Sequence, residues 1–353
     1  MNGPAILEIG FMPYLSVYFP EQSKFVDTRL RWKNVRKYEK FEQNILYFII
    51  SITKMFATLF YFSWLQKYDV VICRSLGPVA VPNQSKLKYY SYAAMGVVFK
   101  NLVLFASRGN RVKLVVVDLT DELTINSRDK VFLQKSDLYF KRELALNYLN
   151  SFEQIFSKGE CIGGFRSSKF VQDFLQKMRP IPLGINEEVI GDSIGKDEKI
   201  YDLFYSGGDQ SLPLREEIKS ALTGLRQKGW RIFSPTERLS ESDFQKCIRR
   251  SRFCVSPSGA GWDCYRHYEI AAFGSIPIFN FRTIQAYKPP RHGLECFYFD
   301  PQDNLIQVLE SFLTTSEEKV EEMAQSSKLH LKSHHTFSAI AKYLMLEINK
   351  IMS

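Results

Sequence analysis

Histidine and cysteine are scarce: this chain of 353 residues has five of one and six of the other. The cysteines are Cys73, Cys161, Cys247, Cys254, Cys264 and Cys296, and none stands in a Cys-x-x-Cys pair. That excludes a zinc-ribbon framework and points to thiols kept in a reducing compartment. His334 and His335 are chain neighbours and cannot both face one point from a helix or strand, which argues against a metal site there. No Asp-x-Asp triplet occurs, so one common acidic seat for a divalent ion is missing. No Gly-Lys-Ser/Thr triplet occurs either, which excludes a P-loop. Repeats and low-complexity tracts are absent. Residues 1–19 carry no basic stretch ahead of their apolar residues and do not read as a signal peptide.

What is present is charge, unevenly spread. The net charge is +9, and residues 1–150 hold 21 Lys+Arg against 12 Asp+Glu. Residues 151–353 hold 26 of each, so the whole surplus lies in the first half. This argues for one half meeting an anionic partner rather than a uniformly basic coat. The surplus is densest at Arg29, Arg31, Lys33, Arg36, Lys37 and Lys40, with Trp32 and Tyr38 between. Such a run is either a solvated face or a patch drawn to anionic lipid head groups, each basic residue there adding about 1 kcal/mol.

Residues 45–65, ILYFIISITKMFATLFYFSWL, follow that run and are long enough to span a bilayer. Ser51, Lys54 and Thr58 recur at helical spacing as a polar stripe, and a central lysine costs a spanning helix about 3 kcal/mol. The expectation is a mostly buried helix of an α/β domain, with an interfacial helix and, last, a true span as the alternatives.

Short apolar runs alternate with helical patterns, the α/β signature. In the first half, residues 5–9, 70–73, 113–118 and 137–140 read as strands, and 42–66 and 88–107 as helices. Glycine and proline cluster over 151–185 (Gly159, Gly163, Gly164, Pro180, Pro182, Gly184) and mark a boundary. Strands then follow at 202–206, 231–234, 253–256, 276–280 and 297–299, with helices at 214–228, 240–250, 264–273, 303–314 and 337–352. This organisation predicts two Rossmann-like domains facing across a cleft, at 1–165 and 166–325, with a C-terminal helical segment, 326–353, returning to the first.

The densest signal is Phe253-Cys-Val-Ser-Pro-Ser-Gly-Ala-Gly-Trp-Asp-Cys-Tyr-Arg-His-Tyr-Glu-Ile-Ala-Ala-Phe-Gly-Ser-Ile-Pro-Ile-Phe279, which reads as strand, glycine loop, helix, turn, strand. Gly259 and Gly261 let a ligand approach the backbone. Asp263 is placed to cap a helix from Cys264, whose free amides suit a phosphate. Arg266 and Glu269 share one helix face, either as an intrahelical ion pair or as groups for a diphosphate and a ribose. Gly274 is placed to end the helix. Cys264 stands where a dinucleotide fingerprint wants a third glycine, so a nicotinamide site is disfavoured.

The motifs Ser256-Pro257-Ser258-Gly259, Arg266-His-Tyr-Glu269 and Gly274-Ser-Ile-Pro277 resemble the nucleotide-sugar segment of exostosin-like glycosyltransferases, a family of the GT-B type. Leu203-Phe-Tyr-Ser-Gly-Gly208 followed by Arg215 resembles the first strand and loop of the family's donor domain. Looser likenesses are Ser136–Glu143 to the end of the acceptor domain and His334–Leu344 to the returning tail helix. The resemblance covers about residues 114–345 and is specific only over 253–279.

It implies transfer of a hexose or pentose from a nucleotide sugar to a hydroxyl of a glycan or glycolipid, with inversion. By the match, Ser206, Gly207, Gly208 and Arg215 line the phosphate or base side, Ser256, Gly259 and Gly261 form the loop, Arg266 binds the diphosphate and Glu269 the ribose. With no membrane anchor at its start, the chain looks like a bacterial or viral cytoplasmic relative, cytoplasmic or peripheral on a membrane, acting in surface polysaccharide synthesis. No metal or other cofactor is expected, since Arg266 and helix dipoles can take a metal's place.

Inverting transfer needs a base for the acceptor hydroxyl. Asp118, Asp121 and Glu122 follow an apolar strand, and Asp121 is the first choice, although these carboxylates also suit turn or cap roles. Arg74 ends another strand and is assigned to the acceptor side. His267 reads as structural. Two other readings remain at this level: a nucleic-acid-binding protein using the basic half, disfavoured because no reader motif is present, and a non-catalytic sugar-binding module.

Overall fold

The computed structural model describes residues 3–10, 13–27, 53, 57, 68–76, 86–108, 112–147, 174–190, 197–207 and 213–353. The basic run at 29–40, the apolar stretch 45–65 apart from Thr53 and Ala57, Gly208 and most of the expected boundary lie outside the described residues. Among the described residues no helix is long and apolar enough to cross a membrane. The chain divides into two compact units, Met1–Pro180 with Ala341–Ser353, and Ile181–Ile340.

The first unit holds six parallel strands: β1 (Ile6–Gly10), β2 (Ser23–Asp27), β3 (Val70–Arg74), β4 (Lys113–Asp118), β5 (Leu138–Lys141) and β6 (Met178–Pro180). Their spatial order is β2-β1-β3-β4-β5-β6. All of β1 and most of β3 and β4 are buried. A parallel strand covered on both faces becomes a continuous apolar run, which is how Leu114-Val-Val-Val117 reads. Two helices here are α1 (Lys86–Ala106) and α2 (Lys130–Lys135). Val103 of α1 and Phe132 of α2 join Leu7, Val71, Val116 and Tyr139 in one core.

The second unit holds β7 (Tyr201–Phe204), β8 (Ile232–Phe233), β9 (Ser251–Val255), β10 (Ile276–Asn280) and β11 (Phe297–Phe299), all parallel, in the order β11-β10-β9-β7-β8. Its helices are α3 (Pro213–Gln227), α4 (Glu241–Arg249), α5 (Tyr265–Ala272), α6 (Leu305–Leu313) and α7 (Glu317–His334). Ile218, Leu222 and Leu225 of α3 and Leu309 and Leu313 of α6 pack with Leu203, Phe253 and Ile278 of the sheet.

The two sheets share one winding. In each, the second strand lies on one side of the first and the third strand on the other, and later strands extend outward. The connections diverge at β1/β3 in the first sheet and at β7/β9 in the second, and the crevice beyond the carboxyl ends of such a pair is where α/β sheets bind ligands.

The helix α8 (Phe337–Met352) closes the chain. Its residues from Ala341 onward belong to the first unit: the Tyr343 hydroxyl donates to the Pro180 carbonyl at 3.1 Å, and Arg179 pairs with Glu347 at 3.0 Å.

Four elements escape the sequence pattern, the short helix α2 among them. Strand β2 is polar and β6 is three residues long with a proline; both are edge strands, which need less apolar alternation. Helix α7 is polar overall yet buries Val320, Met323, Ala324 and Leu331, and Ser316 caps it by accepting from the Lys319 amide. Leu331 packs on Tyr268, Ala271 and Ala272, so α7 backs the helix that carries Arg266 and Glu269.

Candidate functional site

In the second unit the predicted residues gather at the β7/β9 crevice. Tyr205, Ser206 and Gly207 follow β7, and Ser256 to Cys264 link β9 to α5. That link is held from several sides. The Ser258 amide donates to Asn280 Oδ1 at 2.8 Å, and Trp262 Nε1 donates to the Asn280 carbonyl at 3.1 Å. Gly259 N–H donates to the Gly261 carbonyl at 2.9 Å. His267 packs between Trp262 and Phe279, with ring centroids 4.8 and 4.5 Å away, and its Nε2 bonds the Ser256 carbonyl at 3.1 Å. His267 therefore holds the loop in place.

Asp263 does not cap α5. Its carboxylate accepts from the Leu183 amide at 2.8 Å and from the Tyr268 hydroxyl, so it is committed to the loop's own anchoring. Cys264 takes the cap position without a side-chain cap hydrogen bond of its own, and helix α5 starts at Tyr265. The cap residue, a cysteine, thus brings no oxygen to the positive end of the helix. Gly274, at φ 78°, ends the helix in the left-handed conformation, a position that disfavours other residues.

Arg266 and Glu269 form no ion pair with each other among the described residues. Among the described residues the buried Arg266 Nε has no hydrogen-bond partner, and the guanidinium lies over the Phe244 ring at 5.9 Å. Burial pushes the Glu269 carboxyl up from its ordinary pKa; Arg266 pulls it partly back, and Glu241 adds to the rise. Arg215 is buried in the first turn of α3, and a Cβ on Gly259 would lie 3.9 Å from its guanidinium. The β7/β9 crevice thus collects two guanidinium groups, a carboxylate and a helix start whose cap residue brings no oxygen.

Tyr205 belongs to this group, although the sequence reading does not single it out. It is 1% exposed. Burial raises its phenol, and the nearby guanidinium groups of Arg215 and Arg266 pull it back. A Cβ on Gly207 would collide with the Tyr205 hydroxyl, so any larger residue at 207 requires the phenol to shift.

In the first unit a cavity of about 190 Å³ sits at the β1/β3 crevice, lined by Glu8, Tyr14, Arg74, Ser75 and Thr120 among others. Glu8 is 2% exposed and accepts from the amides of Tyr14, Leu15 (3.2 Å) and Ser16 (3.1 Å). Burial raises its pKa, and these amides lower it in part. Arg74 donates to the Ser75 carbonyl at 3.2 Å, and burial lowers its pKa. The sequence signal for Glu8 was one carboxylate inside an otherwise apolar strand, Ile6-Leu-Glu-Ile-Gly10.

The three acidic candidates occupy different environments. Asp118 is 1% exposed, pairs with Lys141 at 3.2 Å, and accepts from Tyr139, Ser75 and Thr120. Burial alone would raise its pKa; Lys141 and the Thr120 bonds outweigh that and hold it below the usual carboxylate value. Asp121 is exposed and pairs with Arg142, which also donates to the Leu119 carbonyl at 3.0 Å. Glu122 is exposed on the same loop. Among the described residues no cluster of His, Cys, Asp or Glu is arranged to hold a metal.

No protein-family model matches the chain, and no curated protein matches it. Solved structures do. The HepE protein of Anabaena, solved with UDP and with UDP and glucose, aligns over 98% of this chain and 100% of its own, at 11% identity and TM-score 0.51. A glycosyltransferase of Rickettsia africae aligns over 100% of this chain and 99% of its own, at 10% identity and TM-score 0.52. The chain has the GT-B fold. Two Rossmann-like units are the fold class predicted from the alternating pattern.

Proposed function

We propose that the chain is a glycosyltransferase that takes a nucleotide sugar as donor. The observation that carries this reading is the β7/β9 crevice, where Arg266 and Glu269 stand unpaired with each other on a helix whose cap residue brings no oxygen, beside Arg215. A nucleoside diphosphate leaves with developing negative charge. Guanidinium groups and helix-terminal amides in a partly dry site stabilise that charge strongly. Glu269 then receives ribose hydroxyls. Ser206, Gly207, Gly208, Ser256, Gly259 and Gly261 supply backbone around the donor. HepE, which shares the fold, was solved with UDP-glucose, which supports a nucleotide sugar as ligand.

In this reading the first unit binds the acceptor, a hydroxyl-bearing glycan or glycolipid, with Arg74 in the β1/β3 cavity on its side. The acceptor oxygen bonds to the anomeric carbon, the bond from that carbon to the diphosphate breaks, and the hydroxyl proton passes to a carboxylate. Inversion follows from this single displacement. Asp121 is the base we favour: Asp118 is committed to Lys141 and to its neighbours, whereas Asp121 is exposed and oriented by Arg142. Glu122 is the alternative. The reading extends to a metal-independent, exostosin-like enzyme of surface polysaccharide synthesis, cytoplasmic or on a membrane surface.

Calorimetry with UDP, GDP, ADP and dTDP tests the donor site. Arg266→Ala and Glu269→Ala are expected to fold normally and bind the preferred diphosphate at least tenfold more weakly. Unchanged affinity in both would sink the assignment. Transfer is expected to survive EDTA; a loss restored by manganese would overturn the metal-free mechanism.

A further inference from the structure

Tyr205 is a buried polar group beside the β7/β9 crevice that the proposed donor chemistry has not used. Its hydroxyl is sealed from solvent and has no hydrogen-bond partner among the described residues. A hydroxyl left so in a protein interior costs about 1–3 kcal/mol, so its retention asks for a reason. Packing does not supply one: the ring lies among Leu203, Ile218 and Leu222, where phenylalanine would fill the same space.

The hydroxyl's position is specific. It occupies the place that a side chain at 207 would take, so at that point of the loop the phenol acts as the polar group that Gly207 lacks. The loop follows β7, one of the two strands that flank the crevice. A second unpartnered buried donor, Arg266 Nε, belongs to the same crevice. Two donors without acceptors, with Arg215 alongside, describe a place for an anion rich in acceptor oxygens.

We propose that Tyr205 is a positioning residue for the donor diphosphate, its hydroxyl donating a hydrogen bond to a phosphate oxygen held by Arg215 and Arg266. This rests on the donor-site reading above and adds a residue to it. The phenol supplies direction rather than charge: a neutral O–H fixes one oxygen, while the guanidinium groups neutralise.

The test is Tyr205→Phe, which deletes one oxygen and leaves the ring. Affinity is measured for the diphosphate that wild type binds most tightly among UDP, GDP, ADP and dTDP, and for its parent nucleoside. The expected result is about tenfold weaker binding of the diphosphate with little change for the nucleoside, as for one lost hydrogen bond to a charged group. The melting temperature of the unliganded variant is expected to hold or rise, because an unsatisfied group has been removed. Diphosphate affinity within twofold of wild type overturns the proposal, while Arg266→Ala still weakened leaves the donor site standing. Equal losses for diphosphate and nucleoside, or a fall in melting temperature that accounts for the weaker binding, also overturn it, since the hydroxyl would then be structural. Wild type binding none of the four diphosphates overturns the donor-site reading and this proposal together.

Discussion

The Asp118 carboxylate and the Lys141 ammonium face each other at 3.2 Å, both sealed from water at 1% and 0% exposure. They are register partners on β4 and β5, so the strand pairing itself sets them opposite each other. Taking two charges from water costs heavily, and the pair persists because Ser75, Thr120 and Tyr139 satisfy the remaining carboxylate oxygens.

Removing one partner should therefore unfold more than a local contact. Lys141→Met is expected to lower stability by about 3–5 kcal/mol, since it leaves a buried carboxylate unpaired. Urea unfolding followed by circular dichroism measures this. A loss below about 1 kcal/mol would mean that the site admits water.

Asp121→Asn separates catalysis from binding. As base, Asp121 should carry roughly a hundred- to ten-thousandfold of the rate. The variant is expected to lose that in kcat while binding the nucleoside diphosphate as wild type does. Full activity in Asp121→Asn, with loss in Glu122→Gln, would move the role one residue along.

Acid should destabilise the second unit through His335. Its Nε2 donates to the Lys288 carbonyl at 2.9 Å, shared with His330 at 2.8 Å, and His334 stands close by. Burial, with the neighbouring His330, lowers its pKa to about 3. The unfolded chain therefore takes up this proton below about pH 6.5, while the folded chain stays neutral until about pH 3. Stability from this group is complete above pH 6.5 and falls by about 1.4 kcal/mol per pH unit between the two values. His335→Gln should flatten that part of the stability profile; an unchanged slope would place the acid sensitivity elsewhere.

The basic surplus of residues 1–150 gives a fourth expectation. The intact protein should sediment with vesicles rich in anionic lipid at low salt and be released at high salt, because exposed charge is screened within about 10 Å at 0.1 M. Charge-reversing Arg31, Arg36 and Lys40 should abolish sedimentation. If wild type ignores such vesicles, the surplus serves solubility alone.

Much of the second unit was legible because its signals are local. Ser256-Pro-Ser-Gly259, the Arg266–Glu269 spacing and Gly274 each state their backbone role in a few residues, and β9, α5 and β10 form where they predict. Asp263 was misread because a residue before a helix looks like a cap from sequence alone. One of its actual partners, the Leu183 amide, is 80 residues away. Polar α7 was missed because its apolar positions, Val320, Met323, Ala324 and Leu331, are outnumbered by charged neighbours on the solvent side.

What the sequence alone determined is the alternation of strand and helix, the punctuation by glycine and proline, and the face shared by Arg266 and Glu269. These depend on backbone conformation and on periodicity, which neighbouring residues set. Only the tertiary structure decided that Tyr205 fills the space beside Gly207, that Glu8 ties down the amides of residues 14–16, and that Asp118 is spent on Lys141 while Asp121 is not. Each depends on residues that pairing and packing bring into contact, and on how much water that contact excludes.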